Sequence, residues 1–438
     1  MTINKQILHL ALPAIVTNIT VPLLGLVDTA IAGHLGRTAC IGAVSVGATL
    51  FNMIYWNFGF LRMGTSGQTS QAYGRRDFTA MSGVLARSLF FSVLFSVCIF
   101  LLQFPVVMLA FRFMGTTAEV EMYARQYFYI CLLGAPAVLG MYSLKGWFIG
   151  MQNTRFPMLI AITINVVNIV ASLFFVFVLH LQVRGVALGT LVSQYVGLAM
   201  ALLLWWHSYR RLWRYLRFSD CLKSAELRKF FTLNGGIFLR TFCLNAVMAF
   251  FTFAGAHQGE VLLAVNVLLL QLFNLFSYFT DGFAYAGEAL VGKYVGMRDL
   301  RSQVRSIRLI FVWGAGLVAC FTLLYAVAAR PFVGLLTSDC AVQSAVGGYY
   351  GWVLLVPLTG AAAFLWDGIM VGATSVRPMV YATFCASSLF FVLFFSLYPH
   401  LGNHALWLAF VSYLAMRGLV QTLWARRHWQ LSSPVMNC

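Results

Sequence analysis

Residues 32–77 read AGHLGRTACIGAVSVGATLFNMIYWNFGFLRMGTSGQTSQAYGRRD, and residues 254–299 read AGAHQGEVLLAVNVLLLQLFNLFSYFTDGFAYAGEALVGKYVGMRD. At an offset of 222 positions, Ala32, Gly33, Leu50, Phe51, Asn52, Gly74, Arg76 and Asp77 meet Ala254, Gly255, Leu272, Phe273, Asn274, Gly296, Arg298 and Asp299. A second block, 127–155 against 349–377, keeps the same offset and pairs Tyr127, Leu132, Leu133, Gly146, Gly150 and Arg155 with Tyr349, Leu354, Leu355, Gly368, Gly372 and Arg377. Apolar segments align by chance, but two blocks sharing one offset and a Gly-x-Arg-Asp turn are hard to dismiss. Half of the chain is a diverged copy of the other half, and internal duplication in a membrane chain points to a transporter.

Composition places the chain in a membrane. Its 438 residues are 61% hydrophobic and 9% charged, with a mean hydropathy of +0.83, too little polar surface to cover a soluble globule. Apolar runs of about 20 residues or more recur, as spanning helices require, and the alternation of barrel strands is absent. Twelve spans are predicted, near 7–33, 41–73, 88–110, 123–150, 157–179, 185–208, 231–256, 261–292, 309–329, 342–372, 378–398 and 404–425. The expected fold is therefore all-α, with six spans in each of two lobes. An even number per lobe makes the repeat parallel. The expected division is an N-terminal lobe, 1–208, a basic linker, 209–229, lying along the cytoplasmic membrane surface, and a C-terminal lobe, 230–438.

The net charge of +17 is explained by its placement. With a cytoplasmic N-terminus, loops and ends on that side carry 20 Lys or Arg, and the opposite side carries five: Arg37, Arg112, Arg125, Arg184 and Arg330. That bias orients both termini inward and brings arginines toward anionic lipid heads, so lipids are expected partners and nucleic acid is not. The nine cysteines (Cys40, Cys98, Cys131, Cys221, Cys243, Cys320, Cys340, Cys385 and Cys438) show no metal spacing, and most fall within spans, where a thiol is a small apolar residue. No cleavable signal is evident. No Walker-type loop, HExxH, GxSxG or EF-hand spacing occurs, so neither a cofactor nor catalysis is expected and energy must come from an ion gradient or a partner.

Of the twelve acids, four lie within spans: Asp28, Asp281, Glu288 and Asp367. An ionised carboxylate at a helix centre costs about 2.5 to 3.5 kcal/mol on insertion scales, so these groups must be paired, hydrated or protonated. Desolvation favours a neutral carboxyl and a nearby cation favours an ionised one, which suits a buried acid to proton exchange. Asp28 falls toward the outer end of span one. It is either a proton carrier or an acid statically neutralised by Arg62 or Lys145. Asn165 and Asn168 share a face of span five and could bond Asp28 or simply glue helices together. Pro13 and Pro22 should bend span one, since each removes a backbone hydrogen bond. On span eight, Gln271, Asn274, Tyr278, Asp281, Tyr285 and Glu288 step by three or four residues into a polar stripe that cannot face lipid. Asp367 on span ten is expected to approach it. Either the three acids make an acidic interior, with tyrosine faces suited to a lipophilic cation, or they form a structural network with Arg240 or Lys293.

LALPAIVTNITVPLLGLVDTAIAGHLG (10–36), FLRMGTSGQTSQAYG (60–74), DGFAYAGEA (281–289), WDGIMVGAT (366–374) and LGNHALWLA (401–409) resemble the multidrug and toxic compound extrusion (MATE) family, in particular its DinF-like branch, over essentially the whole length. The resemblance implies twelve helices in two six-helix lobes forming a V, and export of organic cations coupled to entry of H⁺ or Na⁺. It matches Asp28 to the helix-one carboxylate whose protonation is linked to helix bending, and Pro13 to the hinge proline. The chain departs from the family at Ser172, where relatives often place a second first-lobe acid. Span seven has no acid, and the span-ten acid of sodium-coupled relatives would fall near Gly360. The first departure speaks against any proton or sodium site that needs two first-lobe carboxylates, and the other two speak against a second-lobe sodium site and favour protons.

The expectation is thus a monomeric, proton-coupled antiporter for small lipophilic, mainly cationic compounds in a bacterial inner membrane. The alternatives are a Na⁺-coupled exporter, or a lipid-linked oligosaccharide flippase, which would want a cationic cavity. Arg62 and Lys145 permit the flippase and an acidic second lobe opposes it. A membrane-embedded transferase lacks its catalytic cluster. At the repeat offset Asp28 meets Phe250, Gly59 meets Asp281, Ser66 meets Glu288 and Lys145 meets Asp367, so the charges diverge where the frame is preserved.

Overall fold

Backbone polar groups inside a bilayer must be satisfied within their own segment, so the apolar runs fold as helices. The computed structural model describes residues 2–35, 38–114, 117–216, 223–337 and 339–429. Arg37, Arg217, Cys221, Cys438, the side chain of Arg330 and part of the expected linker lie outside the described residues. Among the described residues fourteen α-helices follow in order: α1 Ile3–Gly33, α2 Thr38–Trp56, α3 Phe60–Arg75, α4 Phe78–Met114, α5 Ala118–Leu132, α6 Ala135–Gly150, α7 Arg155–Leu173, α8 Gln182–Tyr209, α9 Ser224–Ala256, α10 Glu260–Met297, α11 Leu300–Leu336, α12 Cys340–Gly372, α13 Val376–Leu401 and α14 Asn403–His428. Among the described residues no strand occurs. Eleven helices or joined helices are long and apolar enough to cross a membrane, and the pair α5 and α6, bent by 51°, brings the number to twelve.

The repeat is written into the backbone. Arg76 and Arg298 both take left-handed φ of 57°. Asp77 N–H then reaches back to Ala72 O (3.0 Å) and Asp299 N–H to Tyr294 O (3.0 Å), the reverse turn that satisfies the last carbonyls of a helix. The same aspartates open the next helices, accepting from Ala80 N–H (2.9 Å) and Ser302 N–H (3.0 Å). The Gly-x-Arg-Asp signature is therefore one stop signal followed by one start signal, used twice. Gln152 and Thr374 (φ 65° and 52°), then His180 and Gly402 (both 53°), repeat the left-handed backbone at the same offset.

Glycines set the helix spacing. A Cβ on Gly146 would lie 2.2 Å from Arg62 O, and on Gly150 2.8 Å from Ser66 O. On Gly368 it would lie 2.1 Å from Ala284 O, and on Gly372 2.4 Å from Glu288 O. So α6 packs backbone to backbone on α3 as α12 does on α10, the small-residue contact that lets helices associate where lipid is as apolar as leucine.

The copies differ in continuity. The stretch α2–α3 is interrupted at Asn57–Gly59, and α5–α6 at Leu133–Gly134, whereas α10 and α12 run unbroken, the latter through Pro357. Helix α1 likewise continues through both prolines, so the expected bend at Pro13 or Pro22 is not a break in the helix.

Contacts divide the chain into two compact units, Val16–Asn234 and Met1–Ile15 with Gly235–Cys438. The first turns of α1 go with the second unit because Gly282 lets α10 approach Ala11 and Ile15. The first turns of α9 stay with the first unit through Arg87–Glu226 (3.1 Å) and the stacking of Phe230 on Phe91 (4.7 Å). The second unit is centred on an aromatic core including Phe251, Phe276, Phe390, Trp407 and Phe410.

Candidate functional site

Asp28, on the last turns of α1, is 3% exposed. Its Oδ2 accepts from Thr190 Oγ1 on α8 (2.9 Å) and from Tyr127 OH on α5 (3.4 Å). Asn168 Nδ2 on α7 donates to Thr190 Oγ1 (3.1 Å), and Asn168 lies within hydrogen-bonding reach of the carboxyl. Gly47 makes room for this, since a Cβ there would lie 2.5 Å from the Tyr127 ring. Ile31, Cys131, Val183, Val186 and Ala187 wall the group in. Two acceptor atoms, Asp28 Oδ1 and Asn168 Oδ1, are buried without a hydrogen-bond partner. Hydroxyl and amide groups surround the carboxyl, and it forms no ion pair with a described residue. No cation is among the partners of Asp28, so the static pairing with Arg62 or Lys145 is not the arrangement found. Asn165, expected beside Asn168, turns back to Ala161 O (2.9 Å) on its own helix. Ser172 packs against Gly189, where a Cβ would lie 2.0 Å from the serine Oγ.

In the second unit the span-eight residues form a gradient along α10. Gln271 is exposed, Asn274, Tyr278, Asp281 and Tyr285 are half-buried, and Glu288 is 1% exposed. Asp367 was expected to add its charge to this stripe. Instead its Oδ2 accepts from Arg240 on α9 and from Arg417 Nη2 on α14 (2.5 Å), while Oδ1 accepts from Gln421 Nε2 (2.8 Å). Two guanidinium groups against one carboxylate leave this cluster positive, which corrects the picture of an interior made acidic by three carboxylates. The ion-pair alternative with Arg240 is the arrangement found. Arg417 also stacks over Tyr413, 5.4 Å from the ring centre.

Sequence reasoning named Asp28 and Asn168 but missed Thr190, Tyr127, Arg417 and Gln421. A threonine or tyrosine in an apolar helix carries no signal of its own. Arg417 did: an arginine inside NHALWLAFVSYLAMRGLVQ demands an acid. Among the described residues no three His, Cys, Asp or Glu side chains gather to hold a metal ion.

The MatE family model matches residues 13–174 and 237–395, one stretch in each half. DNA damage-inducible protein F of Escherichia coli (strain K12) is 38% identical over 98% of this chain and 93% of its own length. The chain belongs to the MatE family. More distant relatives include Protein DETOXIFICATION 44, chloroplastic, of Arabidopsis thaliana, 24% identical over 96% of this chain and 82% of that protein. A probable multidrug resistance protein NorM of Photorhabdus laumondii is 22% identical over 86% and 84% of the two chains. Among solved structures, a MOP superfamily transporter from Pyrococcus furiosus superposes with a TM-score of 0.84 at 21% identity, covering 99% of this chain and 97% of that one. A Vibrio cholerae MATE transporter in the bent form gives 0.85 at 17%, covering 98% and 97%. This MatE chain is thus a multi-pass membrane transporter and not an enzyme.

Proposed function

We propose that this MatE transporter is a proton-coupled antiporter that expels lipophilic, mainly cationic compounds by alternating access. The observation that carries the reading is Asp28: a buried carboxyl held by Thr190 and Tyr127, with one oxygen unpartnered and no cation beside it. An acid without a fixed counter-charge changes its net charge when it gains or loses a proton, and its hydrogen bonds must then rearrange. Asn168 and Thr190 link that change to α7 and α8, and the prolines of α1 give the helix places to yield. The half-buried Asn274, Tyr278, Asp281 and Tyr285 supply negative charge and π surface for a cation, with Glu288 at the buried end. Asp367 drops out of that role because its arginines already neutralise it. The loop charges support placement in a bacterial inner membrane with both termini cytoplasmic.

The test is efflux of a fluorescent lipophilic cation from proteoliposomes under an imposed pH gradient, with and without Na⁺. The expected result is pH-driven, Na⁺-indifferent transport that falls to the protein-free background in Asp28→Asn. Transport that ignores pH and requires Na⁺ would replace the proton with sodium, and pH-driven transport retained in Asp28→Asn would move the switch to the second unit.

A further inference from the structure

We infer that Arg240 and Arg417, with the Thr383 and Ser387 hydroxyls beside them, form a monoanion site in the second unit, for chloride or for the carboxylate of an organic ligand. Arg417 on α14 and Arg240 on α9 both donate to Asp367 Oδ2. Among the described residues Asp367 is the one carboxylate that either guanidinium meets. Two positive charges therefore face one negative charge, on arginine side chains only 3% and 11% exposed. A guanidinium does not shed its proton inside a protein, so the surplus charge cannot be removed by titration. Water can satisfy a buried donor but cannot balance a charge, and an unbalanced cation within a span is costly. The balance calls for an anion of single charge, since a dianion would turn the cluster negative.

Unused donors lie in the same layer. The Nε–H of each arginine is buried without a hydrogen-bond partner, beside the Nη2 atoms that hold Asp367. So are the hydroxyls of Thr383 and Ser387 on α13. A hydroxyl in a helix ordinarily bonds a carbonyl of the preceding turn, as Thr280, Ser306 and Thr422 do, and these two do not. Helices α13 and α14 fold back on each other at Gly402, and Phe390 against Tyr413, ring centres 6.4 Å apart, sets their register. One and two turns further on, Ser387 and Thr383 come level with Arg417 and Gln421. Four donors and a surplus positive charge are the complement of an anion. The cluster is no inheritance of the shared frame. At the repeat offset Arg240, Arg417, Thr383 and Ser387 are Asn18, Tyr195, Ala161 and Asn165, so the second unit alone carries it. Arg240 is the more open of the two arginines, so a ligand would reach the cluster past it. The inference stands whichever ion drives transport, because it concerns binding and leaves Asp28 intact.

The test is thermal unfolding of the purified transporter in an uncharged detergent, read by tryptophan fluorescence. Chloride, acetate, hexanoate or sulfate replaces a bulky sulfonate at constant ionic strength. A monoanion is expected to raise the midpoint saturably, by roughly 3 °C at a hundredfold excess over its dissociation constant, and sulfate to do so far less. Arg240→Gln removes the surplus charge and leaves Asp367 paired with Arg417, so it should abolish the response. Arg240→Lys keeps the charge and should keep most of it. Chloride saturating at lower concentration than either carboxylate identifies a free halide as the occupant. A carboxylate saturating at lower concentration than chloride identifies the acid group of an organic ligand. A wild-type midpoint that follows ionic strength alone, or that answers sulfate and chloride alike, overturns the site. So does a saturable response that Arg240→Gln retains in full.

Discussion

Four carboxylates within spans look equivalent in one dimension and are not equivalent in three. Asp28 has neutral donors, Asp367 has two guanidinium groups, Asp281 is half-buried on α10 and Glu288 is enclosed. The difference has a measurable consequence. Removing the charge at Asp367 strands Arg240 and Arg417, and breaking a buried ion pair by deleting one partner typically costs about 3–5 kcal/mol. Asp367→Asn is therefore expected to lower the thermal midpoint of the purified transporter sharply, as read by tryptophan fluorescence in detergent. Asp28→Asn removes no counter-charge and should melt close to the wild type. Equal melting of the two variants would remove the distinction between a structural acid and a switching one. Which residues bear charge in the membrane was legible from the chain. Their partners were not, because Thr190 lies 162 positions from Asp28, Arg417 lies 50 from Asp367, and the spacing alone selects neither.

At the scale of the element, helix spacing is set by glycine. Gly368 has the Ala284 carbonyl where a side chain would begin, whereas Gly235 on α9 has nothing within 4 Å. Gly368→Ala is expected to push α12 from α10 and destabilise by about 1–3 kcal/mol, the usual range for overpacking. Gly235→Ala should be neutral or slightly stabilising, since alanine is the better helix former. Melting curves of both variants check this, and a harmless Gly368→Ala would mean that the helices are not held at backbone contact. The Gly-x-Arg-Asp turns were legible in advance because helix stops and caps are local, each closed by hydrogen bonds over a few residues. The interruptions at Asn57–Gly59 and Leu133–Gly134 were not, since apolar composition continues straight through them. Helix α1 runs as one helix through Pro13 and Pro22.

At the scale of the whole molecule, the charge asymmetry of the loops predicts both termini on the cytoplasmic side. A green fluorescent reporter at either end should therefore fluoresce in intact cells, and an alkaline phosphatase fused there should stay inactive. The reverse pattern would invert the side from which Asp28 meets protons. Membership of the MatE family accounts for a twelve-span transporter with a copy of one pattern in each half. By itself the sequence determined the membrane class, the span number, the duplication and its turns, because hydropathy, helix capping and repetition are short-range properties readable along a line. Only the tertiary structure decided which buried charges are neutralised. Electrostatic pairing in a low-dielectric medium acts over a few ångströms, and the helices that bring those ångströms about lie far apart in the chain. That is why Asp367, whose place in a span was readable from the chain, turned out to be the centre of an ion cluster.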